Sequence, residues 1–184
     1  MKLILASNSR TRKQVLDNVG LKYTVIPSNI DENSKETDPK NYVMDLSRQK
    51  AEHVARDLNE GVILSADSII YIDENKLEKP KSKEEARIML KRLSGRVNYA
   101  VTGVTIIDLY KNEKVTFNEV TKVFFDELTE SEIDWYIENE QYILERCGYS
   151  IAGKSSIYIP KIDGDYYNIL GMPISRVYKE LSKL

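Results

Sequence analysis

Apolar and polar positions along the chain fall into two rhythms. Residues 2–6 (KLILA) form a short apolar block, which predicts a buried strand. Residues 7–11 are polar and turn into a helix carrying Val15, Leu16 and Val19, with Gly20 as its stop. Residues 23–26 predict a second strand, ended by Pro27, and residues 28–38 a polar loop. Asp38-Pro39 supplies an N-cap and first-turn residue for a long helix to about Leu58. Its apolar stripe runs through Val43, Leu46, Val54 and Leu58, and Lys50 falls on that stripe. Residues 62–72 (VILSADSIIYI) are apolar on both faces, as in an interior strand. Ile63, Ser65, Asp67, Ile69 and Tyr71 share one of those faces.

The second half repeats the alternation. Asp73-Glu74-Asn75 predicts a turn. Ser82 to Glu85 reads as a capping box opening a helix that ends at Ser94-Gly95. Residues 97–110 and 115–125 predict two long strands joined as a hairpin around Lys111-Asn112-Glu113. Thr129 to Glu132 is a second capping box, starting a helix with Ile133, Tyr136 and Ile137. Residues 149–162 read as strand-rich and Asp163-Gly164 as a tight turn. Pro173 opens a C-terminal helix with Ile174, Val177, Tyr178 and Leu181. This order predicts an α/β chain with a mixed sheet flanked by helices, in which sites form where strand ends meet helix N-termini.

Composition narrows the class. The chain has 184 residues, sized for one domain or one domain in two lobes. Twenty-seven Lys and Arg against 29 Asp and Glu leave a net charge of −2, unlike a nucleic-acid coat or a polybasic membrane binder. No apolar run approaches the roughly 20 residues of a membrane span. Cys147 is the only cysteine, so an internal disulfide is impossible; with one histidine, His53, zinc sites rich in Cys or His are excluded too. Cys147 itself reads as a packing residue. A reducing cytoplasm fits this usage. P-loop and Rossmann glycine motifs are absent.

Candidate chemistry lies in separate segments. Ser7, Ser9, Arg10 and Arg12 stand where a strand passes into a helix, and free N–H groups, hydroxyls and guanidinium groups there suit a phosphate. Cations at a helix N-terminus oppose its dipole, and a polyphosphate would compensate them. Asp67 puts a carboxylate inside the most apolar strand, where it must be paired, bind a metal or act as a base. Lys50, on the apolar stripe of its helix, either snorkels to solvent or is aimed into a phosphate cleft, Pro80 fixes the backbone presenting Lys79, and the loop residues Asp31 and Glu32 offer acids for a hard cation. Cations, hydroxyls and acids of this kind are what metal-assisted attack on a phosphoanhydride requires.

In order along the chain, these segments resemble the Maf (septum formation inhibitor) nucleoside triphosphate pyrophosphatases. Ser7-Asn8-Ser9-Arg10-Thr11-Arg12 is similar to the family's S-x-S-P-R-R, and Lys50-Ala51 to its K-A. Ser65-Ala66-Asp67-Ser68 is similar to G-A-D-T, Lys79-Pro80 to K-P, and Leu93-Ser94-Gly95 to L-S-G. Residues 162–167 (IDGDYY) and Gly171-Met172-Pro173 are similar to its C-terminal segments. The resemblance implies an elongated mixed β-sheet flanked by helices, with two lobes around a central cleft as in the inosine triphosphatase architecture, in a single domain over residues 1–184. It further implies a cytoplasmic homodimer that cleaves dTTP, UTP or a modified nucleotide to the monophosphate and pyrophosphate with Mg or Mn, and no membrane or nucleic-acid partner.

By position, the resemblance makes Asp67 the proton acceptor, Glu32 and Asp67 the metal acids, and Ser7, Arg12, Lys50 and Lys79 phosphate-site residues, with Ser9 and Arg10 beside them. Thr11, Ser68 and Ala152 stand where the family chooses its base. Arg10 replaces the family's proline, Thr11 the first arginine of its pair, and Ala152 the glutamine of Y-G-I-Q-G. Two alternatives follow. One is an inosine triphosphatase-like purine cleaner, suggested by Ser7-Asn8. The other is a catalytically weakened nucleotide-binding regulator of cell division, suggested by Thr11 and Ala152.

Overall fold

A computed structural model describes residues 2–141, 143–144 and 149–184. The elements are β1 (Leu3–Leu5), α1 (Arg10–Asn18), β2 (Thr24–Val25), α2 (Pro39–Ala55), β3 (Val62–Ile72), β4 (Asn75–Lys76), α3 (Lys83–Leu93), β5 (Val97–Asp108), β6 (Glu113–Phe124), α4 (Glu130–Asn139), a 3-10 helix (Lys154–Tyr158), β7 (Lys161–Asp163), α5 (Tyr166–Ile169) and α6 (Ile174–Leu181). Among the described residues the strands form one mixed sheet of seven, in the order β2-β1-β3-β5-β6-β7 with β4 on β3. β1 pairs in parallel with both β2 and β3; β4 on β3 and β7 on β6 are antiparallel. None of the described helices is long and apolar enough to cross a membrane.

The chain divides into two compact units. One comprises Met1–Ser68, Val101–Glu119 and Tyr167–Leu184; the other Ile69–Ala100 and Val120–Tyr166. In the first, the alternation of β3 sends its side chains to different helices. Val62, Leu64 and Ala66 pack with Val15 and Leu16 of α1 and Ile174, Val177 and Leu181 of α6. Ile63 packs with Ile4, Ala51 and Val54, the last two on α2. Each such aliphatic side chain contributes about 1.5–3 kcal/mol on burial, so the helices are held on opposite faces of the same strands. α2 comes closest at Gly103, where a Cβ would lie 2.3 Å from the backbone of Val43. Only glycine admits that approach. Beneath α2, Ser47 Oγ meets Thr105 Oγ1 at 2.9 Å and Ser65 Oγ donates to Ser47 O at 2.5 Å, so the polar groups under the helix are satisfied internally.

The second unit is built around aromatic pairs. Tyr71 stacks on Tyr99 with centroids 5.0 Å apart, and Phe125 meets Tyr149 edge-on at 5.0 Å. The Tyr149 hydroxyl donates to the buried Asn98 at 2.7 Å. At the IDGDYY segment Gly164 has φ +132°, and a Cβ there would strike Thr121 Oγ1 at 2.7 Å, a turn that only glycine accommodates.

Local signals in the sequence are mostly realised as elements. Asp38 caps α2 by accepting from the amides of Lys40 and Asn41, and Thr129 with Glu132 forms a complete capping box on α4. The expected box on α3 is half formed: Ser82 accepts from the Glu85 amide, but the Glu85 carboxylate turns to the Lys81 amide instead. Residues 149–162 correct the strand-rich expectation, for only Lys161–Asp163 is strand. Ser155 Oγ accepts from Ser150 N and donates to Ser150 O, and Gly153 N bonds Ser150 O, so side-chain and turn bonds hold the backbone locally. Val19, the C-cap of α1, and Tyr178 of α6 are exposed. α2 ends at Ala55, about one turn short of Leu58. The expected packing role of Cys147 lies outside the described residues.

Candidate active site

The site begins where β1 leaves the sheet. Ala6 N makes the last ladder bond, to Leu64 O at 2.8 Å, and Ser7 is the first residue beyond it. Ser9 caps α1, its hydroxyl accepting from the Arg12 amide at 3.4 Å. Ser7 Oγ accepts from Ser9 N at 3.2 Å and from Arg12 Nη1 at 3.1 Å, which leaves its own proton to donate. α1 has no acid in its first turn, so no acid of its own offsets its positive end.

Arg12, on the first turn of α1, is held at three points. Besides Ser7, Nε donates to Gly171 O at 3.0 Å and Nη2 to Ser68 Oγ at 3.1 Å. Gly171 lies between Asn168 and α6 with φ +82°, and a Cβ there would come 3.0 Å from Ser68 Oγ and 3.4 Å from Arg12 Nε. The three acceptors orient the planar guanidinium and leave its remaining N–H groups for a ligand. Burial pulls the Arg12 pKa below its ordinary value, while the charges of Asp67 and Glu32 push it back up. Both acids therefore act on the same guanidinium.

Asp67 and Ser68 are neighbours on β3 and point to opposite faces. Ser68 meets α1 through Arg12; Asp67 meets α2, where Lys50 Nζ lies 2.6 Å from its Oδ1. Both side chains of this pair are only 9% exposed. The same Nζ lies 2.8 Å from Glu32 Oε1, contributed by the loop before α2 and 57% exposed. Lys50 thus holds together a buried and an exposed acid. Its inward aim follows from the stripe it shares with Val43, Leu46 and Val54, all buried.

The two acids suit a hard divalent ion. Among the described residues no three His, Cys, Asp or Glu side chains gather as a metal cage. Two carboxylate groups converging on a single cation, however, match the usage of Mg, which takes its other ligands from water and substrate phosphates. The donor set fits such an ion and does not fit zinc.

The first unit thus gathers Ser7, Ser9, Arg12, Glu32, Lys50, Asp67 and Ser68, from four separate segments of the sequence. Thr11 is half-buried and Arg10 exposed at the start of α1. Lys79 and Ala152 belong to the second unit, and both are exposed. Two participants escape sequence reasoning. Gly171 stands in a noted motif, but nothing local shows that its carbonyl receives Arg12. Thr102, fully buried, contacts Ser68 Oγ at 2.9 Å, and its only signal is a hydroxyl in an apolar strand.

Comparison with known proteins finds relatives along the whole chain. The family model described as Maf-like protein matches residues 2–184. A dTTP/UTP pyrophosphatase of Carboxydothermus hydrogenoformans is 40% identical over 181 residues, covering 98% of this chain and 97% of that protein. A dTTP/UTP pyrophosphatase of Thermoanaerobacter sp. is 42% identical over 184 residues, covering 100% and 96%. Among solved structures, the Staphylococcus aureus Ham1 protein is similar at 17% identity with a TM-score of 0.48, over 68% of this chain and 72% of that one.

Proposed function

The chain belongs to the Maf family, and from that membership we propose that it is a nucleoside triphosphate pyrophosphatase acting on dTTP and UTP. Relatives of 40–42% identity bearing that name support the substrate class. One observation carries the reading: a buried carboxylate, Asp67, lies against a buried ammonium, Lys50, in the field of an arginine whose orientation three acceptors fix. Buried and oriented charges of this kind cluster at functional sites, which supports the reading.

In the proposed reaction Arg12, Lys50 and the Ser7 hydroxyl bind the phosphate oxygens, and Ser9 holds the turn that presents them. Arg10 stands at the helix entry, where it adds positive potential. Asp67 takes a proton from water through Oδ2, its Oδ1 being engaged by Lys50. The water oxygen forms a bond to the α-phosphorus, the α–β bridging P–O bond breaks, and pyrophosphate leaves with the bonding pair. Asp67 and Glu32 would hold a Mg or Mn ion, which when bound neutralises charge on the phosphate oxygens. Ser68 keeps the hydroxyl of the family's threonine at one of the base-selecting positions, a conservative match to the dTTP/UTP branch, whereas Thr11 and Ala152 depart from it. The same reading has the enzyme working in the cytoplasm as a homodimer.

Pyrophosphate release from dTTP, UTP, 7-methyl-GTP and ITP, each with Mg and with Mn, tests the proposal. Release from dTTP and UTP above the others is expected. Nucleotide binding without release from any of the four overturns it.

A further inference from the structure

Thr102 lies in the interior of β5, 0% exposed, and none of the family-like motifs contains it. Its Oγ1 donates to the carbonyl of Asn168 at 2.9 Å. A carbonyl can only accept, so the single proton of Thr102 is committed there. The 2.9 Å contact between the Ser68 and Thr102 hydroxyls then has only one possible direction, with Ser68 donating. Ser68 in turn has no proton left for Arg12 and presents lone pairs alone, which is what Nη2, 3.1 Å away, requires. A one-way series of donors therefore runs from Arg12 through Ser68 and Thr102 to the Asn168 carbonyl, linking α1, β3, β5 and α5.

We propose that Thr102 is a positioning residue for phosphate binding: by accepting a hydrogen bond from Ser68 it fixes the orientation of the Ser68 hydroxyl and so holds the lone pair that receives the guanidinium of Arg12. This rests on the reading of Arg12 as a phosphate ligand. Without the Thr102 hydroxyl, the Ser68 proton loses its acceptor and the Ser68 side chain is free to turn away from Arg12, so one of the three anchors is lost for part of the time. Ser7 and the Gly171 carbonyl hold the other two, so the guanidinium is loosened, not lost.

The experiment measures calorimetric binding of inorganic tripolyphosphate by the full chain and its variants, alongside nucleotide turnover. Thr102→Val should weaken binding about fivefold, the factor that one net hydrogen bond is worth. It should raise KM with kcat little changed, and Thr102→Ser should restore binding to within about twofold of wild type. In a Ser68→Ala background, Thr102→Val should add no further loss, because its effect passes through Ser68. A merely structural role would lower the melting temperature and weaken binding equally in both backgrounds, and that result overturns the proposal, as does unchanged binding in Thr102→Val. If Thr102→Val does not fold, Thr102→Cys serves in its place, since a thiol is a weak acceptor of similar size. Wild type that binds tripolyphosphate but releases pyrophosphate from no nucleotide refutes the enzymatic reading alone. Wild type that fails to bind tripolyphosphate refutes this inference, because Arg12 then holds no phosphate.

Discussion

Asp67→Asn separates chemistry from stability. The substitution keeps shape and an acceptor oxygen but removes the charge opposite Lys50, both side chains being 9% exposed. Deleting one partner of a fully buried ion pair costs about 3–5 kcal/mol, mostly for the stranded charge. Here Lys50 keeps Glu32 at 2.8 Å, a counter-ion weakened by its 57% exposure. The asparagine oxygen also still accepts a hydrogen bond, worth about 1 kcal/mol. The expected loss is therefore about 2 kcal/mol. For a chain of this size that lowers the melting temperature by about 4–8 °C, which leaves the protein folded at assay temperature. Turnover should fall far more, by about 10²–10⁴, the usual contribution of a positioned base. The assay pairs pyrophosphate release from dTTP and UTP with calorimetric melting of the same preparation. Turnover within tenfold of wild type would refute the role of Asp67 as base. An unchanged melting temperature would refute the buried pair, and Asp67→Asn with Glu32→Gln should melt lower still, because Lys50 then has neither acid.

Other substitutions probe other parts of the argument. Arg12→Lys should weaken tripolyphosphate binding by about tenfold or more, because one ammonium cannot meet Gly171 O, Ser7 Oγ and Ser68 Oγ together; equal affinity by calorimetry would show that the fork is not used. Gly103→Ala should destabilise by about 3 kcal/mol, since its Cβ cannot share space with the Val43 backbone, and a urea melt unchanged from wild type would contradict that contact. Asp45 is held below its ordinary pKa, chiefly by the Ser34 hydroxyl and then by Arg48 and Gln49, against the opposing effect of burial. Its folded pKa being lower than its unfolded one, its contribution is full above the unfolded value, about 3.9, and is lost as pH falls through the folded value. Wild type should therefore be more stable than Asp45→Asn near neutrality and converge with it in acid; a constant gap in urea melts from pH 7 to pH 2 would contradict the linkage.

Much of the site was legible in residue order. The capping signals at Asp38 and Thr129, the interior character of β3 and the inward aim of Lys50 all depend on neighbours within a turn or a strand, and such neighbours are present in the sequence itself. The same local reasoning failed at residues 149–162, where apolar spacing suggested strand. There Ser155 and Gly153 satisfy the Ser150 backbone locally, in place of strand pairing.

The sequence alone determined an α/β chain, its helix starts, a buried carboxylate needing a partner and a stretch of hydroxyls and cations at a helix entry. Each of these is decided by period, capping or burial cost within a short window. Tertiary structure decided who meets whom: Lys50 with both Asp67 and Glu32, and Arg12 with a carbonyl 159 residues away at Gly171. It also assigned the adjacent Asp67 and Ser68 to different helices, and brought in Thr102, which no motif marked. Such pairings depend on sheet order and on which helix covers which face, and those are settled by packing the whole core, not by any segment of it.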